Sequence, residues 1–544
     1  MQDIWIAGIS TGHNASTCLL KNGEIVFYIE EERLSRKKYD DTPFLGILKI
    51  LDYTDRLDFL GISHHSSIDD ITKNECAILA LKLKLITDFK QVLFPEQHHT
   101  YHAAGGFYNS GFNDAVCVII DAAGSYVEFD KIERWGAEIE SIIHASYPGK
   151  FNPLYKRFGN YSNQDSNIIN NIEFVGEPGP GVIYSALSMS LGHSNLECGK
   201  PMGLSSYGNE DHTIPSIYIN CNNKLVTNKN LFKTPLGSYT KTYIKNVEIY
   251  NTENLCYSIQ KATEQFATDL ILKALKLSNS KNLVISGGFA LNCVANYEYL
   301  KHVPNDINIY IDPPSHDGGH SIGIAKLIHH RTFGAGNVQQ LTFNLGPLPT
   351  YEYTLKSNEV ETDVTYADIV NLLLDGNIVA MFQGRSEAGP RALGNRSILF
   401  DPRIKDGKDM VNRVKNREWY RPFAGTILKE YVHDWFDMRG LEESPFMMYA
   451  VDVKDNAKDI ISAIVHVDDT CRIQTVTDIQ NLHYYNLITE FYKKTGVPIL
   501  FNTSFNLGGE PLVETLEDAL ITLRKSKLEY LYLPEQNKLI SIPN

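Results

Sequence analysis

The sequence predicts an α/β protein of two domains, and three observations carry that expectation. Apolar runs that read as strands end in turns of small residues at three places: DIWIAGIS before STGHNAS, VCVIID before AAGS, and NLVIS before GGFALN. A strand that meets such a turn is how α/β proteins present backbone N–H groups to phosphate. Helix-period segments lie between these units, the clearest being 254–277, where apolar residues recur at three- and four-residue spacing. Residues 343–362, FNLGPLPTYEYTLKSNEVET, are rich in Pro, Gly and polar residues and mark a boundary. The domains are expected at 1–345 and 363–544, with a linker at 346–362.

At 544 residues the chain is too long for one core. A hydrophobic content of 43% with 21% charged residues is that of ordinary soluble protein. The opening MQDIWIAGIS lacks a basic segment and a long apolar run, so no signal peptide, no membrane span and a cytoplasmic enzyme are expected. Eight scattered cysteines without a C-x-x-C pair argue against disulfides and a thiolate zinc site. A net charge of −14 disfavours a general nucleic-acid surface but leaves room for a local basic groove.

The first elements read as a strand, a Gly-containing turn and a hairpin turning at Asn22-Gly23. His13 sits in that first turn, where it either bonds its own backbone or serves as a general base with a near-neutral pKa. EEERLSRKKYD, with Glu30, Glu31, Glu32, Arg33, Arg36, Lys37 and Lys38, reads as a solvated charged face. In EQHHTYHAAGGF, His98 and His102 fall at i, i+4, so a helix would present both imidazoles on one face, with His99 beside it. Asp121 ends a strand before a small-residue turn, and Asp317 lies in the loop DPPSHDGGHSIG after the strand INIYI. The two aspartates either cap turns or complete a His2Asp2 site suited by ligand type to iron, manganese or zinc.

The C-terminal part concentrates arginine on a Gly- and Pro-rich frame. QGRSEAGPRALGNRSILFDPR holds Arg385, Arg391, Arg396 and Arg403; KNREWYRPFAG adds Lys415, Arg417 and Arg421; HVDDTCRIQTV adds Arg472. FNTSFN contributes Asn502, Thr503, Ser504 and Asn506. Guanidinium forks match phosphate, and glycine lets backbone approach an anion, so these residues read as a shaped pocket. The competing reading is a structural network with Glu387 and Glu418.

Taken in order, GHNAS with EEERLSRKKYD, HHTYHA, VIIDAAGS, ECGKPMGLSSYG, SGGFALNC, the Asp317 loop, GRSEAGPRALGNRSIL, KNREWYRPFAG, HVDDTCRIQTV and FNTSFN form one set. With them the chain resembles the O-carbamoyltransferases of the nodulation and aminoglycoside-antibiotic type across nearly its full length. The resemblance implies a duplicated actin/hexokinase-like N-terminal α/β domain, related to the tRNA threonylcarbamoyl-transfer enzyme, and a smaller YrdC-like α/β domain. It implies that the second domain makes carbamoyl-adenylate from carbamoyl phosphate and ATP with Mg2+, and that an alcohol takes the carbamoyl group in the first. By the same resemblance His98, His102, Asp121 and Asp317 hold a metal, ferrous iron foremost, and His13 is the general base. Lys200, Gly203, Gly287, Gly288 and Asn292 would line a nucleotide cleft. Lys415, Arg421, Arg385, Arg391, Arg396, Arg472, Asn502 and Ser504 would hold phosphate, nucleotide or carbamoyl groups. The chain departs from the family pattern in DAAGS, which has Ala where many relatives carry Gly, in RPFAG, which ends in Gly, and in His316 and His320, extra histidines on either side of Asp317.

Three rival readings differ in testable features. A sugar-kinase-like enzyme would need no second-domain arginine set and would open on a D-x-G-x-T turn. A threonylcarbamoyl transferase acting on tRNA would show a more basic surface. A non-catalytic nucleotide-binding protein would have no use for ionisable groups in both domains. The acceptor stays open among sugars, secondary metabolites and hydroxymethylated nucleobases, with the net charge favouring a small or neutral one. The oligomeric state stays open too, a dimer being compatible with the chain.

Overall fold

A computed structural model describes residues 2–63, 70–129, 134–160, 167–169, 171–221, 224–228, 230–233, 241–334 and 336–542. They form two compact units, one of residues 1–31 and 40–340, the other of residues 32–39 and 341–544.

The first unit contains one sheet plan used twice. Strands β1 (Trp5–Ser10), β2 (Ser16–Lys21), β3 (Glu24–Glu30), β4 (Phe59–Ile62) and β5 (Val92–Leu93) run in the order β3-β2-β1-β4-β5. The first three are antiparallel, and β4 and β5 continue parallel to β1. Helix α1 (His98–Ser110) leads into β6 (Asp114–Ile120), β7 (Arg134–Ser146), β8 (Lys150–Asn160), β9 (Asn282–Ser286) and β10 (Asn308–Ile311). These repeat the plan as β8-β7-β6-β9-β10, again with three antiparallel strands and two parallel to the first. The repetition is the duplicated actin/hexokinase-like arrangement. The β2–β3 hairpin turns where expected, with Asn22 and Gly23 at φ of 53° and 92°, the left-handed pair such a turn requires. The long amphipathic helix α2 (Thr252–Leu277) begins at Asn251, whose side chain accepts from the Asn254 N–H, and buries Leu255, Ile259, Ala267 and Ile271.

Helix α3 (His320–Phe333) locks α1 in place. A Cβ on Gly323 would lie 2.4 Å from the Tyr101 carbonyl oxygen and 2.9 Å from the Gly105 nitrogen, so the two helix backbones touch. A Cβ on Gly106 would meet Val284 of β9 at 2.6 Å, which presses α1 onto the second sheet. Between the helices, the Lys326 ammonium donates to Asn109, and Asn109 donates to Asp312, both at 2.9 Å. Helix propensity alone favours alanine over glycine by about 1 kcal/mol. Because the opposing atoms at Gly323 are backbone, Gly323→Ala is expected to destabilise by about 1–3 kcal/mol instead. The urea midpoint checks this, and an unchanged or higher midpoint would dismiss the close contact.

The second unit is built on a ten-stranded mixed sheet. Its strands are β11 (Val360–Asp363), β12 (Val379–Phe382), β13 (Arg396–Phe400), β14 (Ala424–Leu428), β15 (Phe436–Asp437), β16 (Ala450–Val453), β17 (Thr470–Val476), β18 (Ile499–Ser504), β19 (Tyr530–Leu533) and β20 (Lys538–Ser541). Their order is β11-β20-β19-β12-β13-β18-β14-β17-β16-β15. Helix α4 (Gly407–Lys415) precedes β14.

Two stretches differ from their sequence reading. The 346–362 segment, expected as a linker, packs within the second unit: Tyr351, Tyr353 and Leu355 lie on a core that includes Ile398, Leu520 and Leu531. EEERLSRKKYD is a solvated face only at Lys37 and Lys38, which are exposed, since Glu30, Glu31, Glu32 and Arg33 are buried. Glu31 belongs to the first unit, where its carboxylate accepts from the Leu45 and Gly46 N–H groups at 2.7 and 2.9 Å. Arg33 and Arg36 belong to the second, donating to the carbonyls of Glu387, Gly389, Pro511 and Leu512. Glu31, Arg33 and Arg36 are thus matched to backbone polar groups, while Glu32 pairs with the Lys38 ammonium at 2.7 Å and Glu30 lies 3.3 Å from His316.

Candidate metal centre and anion pocket

The metal-centre residues come from three short elements of the first unit. His98 and His102 face the same way from the first turns of α1, with Nε2 atoms 3.2 Å apart. Asp121 follows β6; one carboxylate oxygen accepts from the Ala122 N–H at 2.8 Å and the other lies 2.9 Å from His98 Nε2 and 3.4 Å from His102 Nε2. Asp317 opens the single turn before α3, its Oδ1 at 3.4 and 3.5 Å from the same two nitrogens. The DAAGS turn fits tightly over them: Ser125 accepts the His98 N–H at 3.0 Å, and a Cβ on Gly124 would lie 2.9 Å from the His99 ring.

These residues fit a cation. Zinc or a similar ion holds nitrogen and oxygen at about 2.0–2.2 Å. Neighbouring ligand atoms then stand about 3.0–3.5 Å apart, the spacing found here. The charges agree. Burial alone would discharge His98, yet Asp317 and Asp121 override it and push the imidazolium up to about 10. Against the same burial, His98 holds the Asp317 carboxyl well below the usual range. Two buried carboxylates therefore draw positive charge into a pocket that a divalent ion would fill. His99 does not share this role: burial pushes its pKa down to about 3 and its Nδ1 pairs with Ser141 Oγ at 2.7 Å.

His13 stands at the rim. Its turn is tied down by Ser10 and Ser16, whose hydroxyls donate to the Asp317 and Gly318 carbonyls at 3.0 and 2.7 Å. The imidazole is half exposed, with Nε2 3.4 Å from Asp317 Oδ2 and Nδ1 3.1 Å from Asn14 Oδ1. One nitrogen thus faces the buried carboxylate while the ring stays open to an incoming molecule.

Of the expected nucleotide residues, Gly287 and Gly288 reach this centre. Gly287 takes φ of 91° at the end of β9, where a Cβ would lie 2.4 Å from the Ile120 carbonyl; a Cβ on Gly288 would lie 3.1 Å from Asp121 Oδ1. Asn292 is otherwise committed: it caps the following helix at Ala295 and exchanges hydrogen bonds with Gln260 at 3.0 and 3.2 Å. Lys200 and Gly203 lie on the helix Gly199–Ser205, where Lys200 pairs with Glu197 at 2.8 Å.

In the second unit the arginines divide into two kinds. The GPRALGN loop wraps around the buried Glu387 carboxylate, which accepts the N–H groups of Leu393, Asn395 and Arg396 at 2.7, 2.8 and 3.2 Å. Arg385 and Arg396, expected to meet phosphate, serve this frame instead. Arg385 donates to the Leu345 and Gly346 carbonyls at 2.8 and 2.6 Å. Arg396 is fully buried, donates to the carbonyls of Gln383, Asn395 and Glu514, and stacks 3.7 Å over Phe382.

The other cations crowd one another. Lys415, at the end of α4, is 2% exposed and donates to the Ser504 carbonyl, to Ser504 Oγ at 3.3 Å and to Asn506 Oδ1 at 3.1 Å. Burial first, then Arg417 and Arg421, hold its ammonium well below the usual lysine range. Burial, Arg421 and Arg472 likewise depress Arg417. Arg421 reaches Glu418 at 3.6 Å. Sheet register brings the remaining groups level, since Ala424 of β14 pairs with Asn502 on one side and Arg472 on the other. Asn502 in turn donates to the Ala392 carbonyl at 3.3 Å, beside Arg391 on the loop. Cations pressed together this way are relieved by a bound polyanion.

The Carbamoyltransferase N-terminus family model matches residues 69–326, and the Carbamoyltransferase C-terminus model matches residues 370–538. The chain belongs to the carbamoyltransferase family. This carbamoyltransferase is 28% identical to nodulation protein NolNO of Sinorhizobium fredii over 565 residues, covering 95% of this chain and 77% of that one. It is 27% identical to the 3'-hydroxymethylcephem-O-carbamoyltransferase of Amycolatopsis lactamdurans over 358 residues, covering 63% of this chain and 66% of that one. Among solved structures, full-length HypF in its phosphate- and nucleotide-bound form aligns with 14% identity and a TM-score of 0.38, over 62% of this chain and 56% of that one. The N-terminus model spans His98, His102, Asp121 and Asp317; the C-terminus model spans Arg391, Lys415, Arg417, Arg421 and Arg472. No helix among the described residues is long and apolar enough to cross a membrane.

Proposed function

We propose that the protein is an ATP-dependent O-carbamoyltransferase whose two units carry separate half-reactions. The observation that carries this reading is the pairing, in one chain, of a pocket of crowded cations and a histidine–aspartate centre with a half-exposed imidazole beside it. In the second unit, taken as YrdC-like, water releases phosphate from carbamoyl phosphate. The carbamate oxygen then attacks the α-phosphorus of Mg2+-ATP, giving carbamoyl-adenylate and pyrophosphate. Lys415, Arg417, Arg421, Arg472 and Arg391 bind these anions and offset charge that builds on the phosphorus oxygens. Ser504 and Asn506 orient the Lys415 ammonium.

In the first unit an acceptor hydroxyl attacks the carbamoyl carbon, the C–O bond to AMP breaks, and His13 takes the hydroxyl proton. Asp317 orients the His13 ring and balances the imidazolium that forms. Gly287 and Gly288 let the turn after β9 close against Ile120 and Asp121, so that its backbone N–H groups would face the adenylate phosphate. His98, His102, Asp121 and Asp317 would hold a divalent ion, Fe2+ by the family resemblance and Mn2+ or Zn2+ by ligand type, which supplies Lewis-acid polarisation when bound. The acceptor is drawn from sugars, secondary metabolites or hydroxymethylated bases, and a net charge of −14 places nucleic acid last among them.

The deciding assay needs no acceptor. Protein, Mg2+-ATP and carbamoyl phosphate are expected to yield pyrophosphate that depends on carbamoyl phosphate, and His13→Ala is expected to keep that release while losing carbamoylation of any alcohol found by screening. ADP in place of pyrophosphate would overturn the reading in favour of a kinase. Equal loss of pyrophosphate release in His13→Ala, with folding intact, would overturn the division of labour.

A further inference from the structure

We propose that His320 is a fifth protein ligand of the metal centre, so that this chain grips its cation with three imidazoles and two carboxylates. The inference rests on the reading that the centre binds a metal, and it concerns what that metal must be.

The sequence places histidines on both sides of Asp317, and the structure separates their roles. His316 turns away, its Nε2 3.3 Å from the Glu30 carboxylate. His320 turns inward. The residues from Asp317 form a single 3-10 turn that runs into α3, and in such a turn positions three apart eclipse, so Asp317 and His320 leave the backbone on one side. His98 and His102 do the same from α1. Two helix starts thus present two ligating groups each toward a common point, with Asp121 beside them.

The distances support a shared ion. The His320 ring centre is 4.3 Å from that of His98 and 4.1 Å from that of His102, at interplanar angles of 89° and 64°. One ligating atom each from His98, His102, Asp317 and His320 lie within 4.8 Å of one another. Two ligands on opposite sides of an ion at about 2.1 Å stand about 4.2 Å apart, so a small rotation of one ring completes the set. Backbone packing keeps His320 there. A Cβ on Gly319 would lie 2.0 Å from the Pro314 carbonyl, and Gly323 seats α3 against α1 one turn further on. His320 is fully buried, and an apolar side chain would fill the same volume without placing a third imidazole beside the Asp317 carboxylate.

The added nitrogen has a chemical consequence. Imidazole suits iron, cobalt, nickel and zinc, whereas magnesium and manganese favour oxygen. Three imidazoles therefore bias the centre against Mg2+, which accompanies ATP, and toward a nitrogen-preferring ion even where Mg2+ is in large excess.

The test uses the full-length chain, stripped of metal and titrated with Co2+, whose visible absorption reports ligand number and type, and with Mn2+ as the oxygen-preferring comparison. His320→Phe keeps a buried aromatic ring of similar size and removes the ligand; His320→Asp supplies a different ligand. His320→Phe is expected to weaken Co2+ binding by roughly tenfold or more, to alter the Co2+ spectrum, and to weaken Mn2+ far less. His320→Asp is expected to recover affinity while shifting preference toward Mn2+. A Co2+ affinity and spectrum unchanged in His320→Phe would overturn the proposal and leave His320 as a packing residue, with the metal centre itself intact. Absence of Co2+ binding by the unaltered chain would overturn the metal reading and this proposal with it.

Discussion

Lys415→Met is expected to lower carbamoyl phosphate-dependent pyrophosphate release by about 10^2–10^3-fold, the usual cost of removing one preorganised group that stabilises transition-state charge. The folded protein is expected to be at least as stable as the parent. These two outcomes have one cause. The Lys415 ammonium is buried and pressed by Arg417 and Arg421, so the free pocket is held in an electrostatically unfavourable state that an incoming polyanion relieves. Methionine keeps the volume and the apolar stem, gives up the donations to Ser504 and Asn506, and removes the crowded charge. Urea midpoints and pyrophosphate release measured on the same preparation separate the cases. A variant that loses activity together with stability would mark Lys415 as a structural tie. A variant that keeps its activity would show that the pocket handles no phosphate. Arg396→Met is the natural contrast. Its guanidinium binds three backbone carbonyls, and its loss should cost stability first.

That contrast shows where reading the sequence stops. The chain announces residue types and local spacing, so the strand-to-turn junctions, the Asn22-Gly23 hairpin and the i, i+4 imidazoles were all legible. The five N-terminal site residues, His13, His98, His102, Asp121 and Asp317, meet within hydrogen-bonding or ion-pairing distance. What an arginine does depends on where its donors end, and no local pattern shows that Arg385 and Arg396 are spent on carbonyls while their neighbours in the set stay among the crowded cations. The role of Glu387 was hidden for the same reason. Sequence spacing offers it as an arginine partner, whereas its carboxylate gathers three N–H groups of its own loop. Pairing between distant strands is equally silent. The second sheet joins Val116 to Leu283, and nothing near either residue records it. Residues 32–39 read as a solvated run because their partners at 387–389 and 511–512 lie far along the chain.

His98→Ala is expected to abolish carbamoyl transfer while leaving pyrophosphate release near the parental rate, and to reduce bound divalent metal from about one ion per chain to near none. His98 is the residue on which the centre turns. It lies within 3.5 Å of Asp121, Asp317 and His102 at once, so its removal takes a neutralising partner from both carboxylates and would take a ligand from the proposed ion. Breaking a buried charge pair by deleting one member costs about 3–5 kcal/mol. The variant should therefore unfold at lower urea, and the loss should fall on the first unit. Metal content by elemental analysis, adenylate formation and transfer to an alcohol are measured separately. If pyrophosphate release falls as far as transfer does, activation depends on the histidine–aspartate centre and the two half-reactions are not separable. If release persists and transfer alone is lost, adenylate should accumulate in the mixture, because in the proposed scheme the step that consumes it takes place at the centre beside His13.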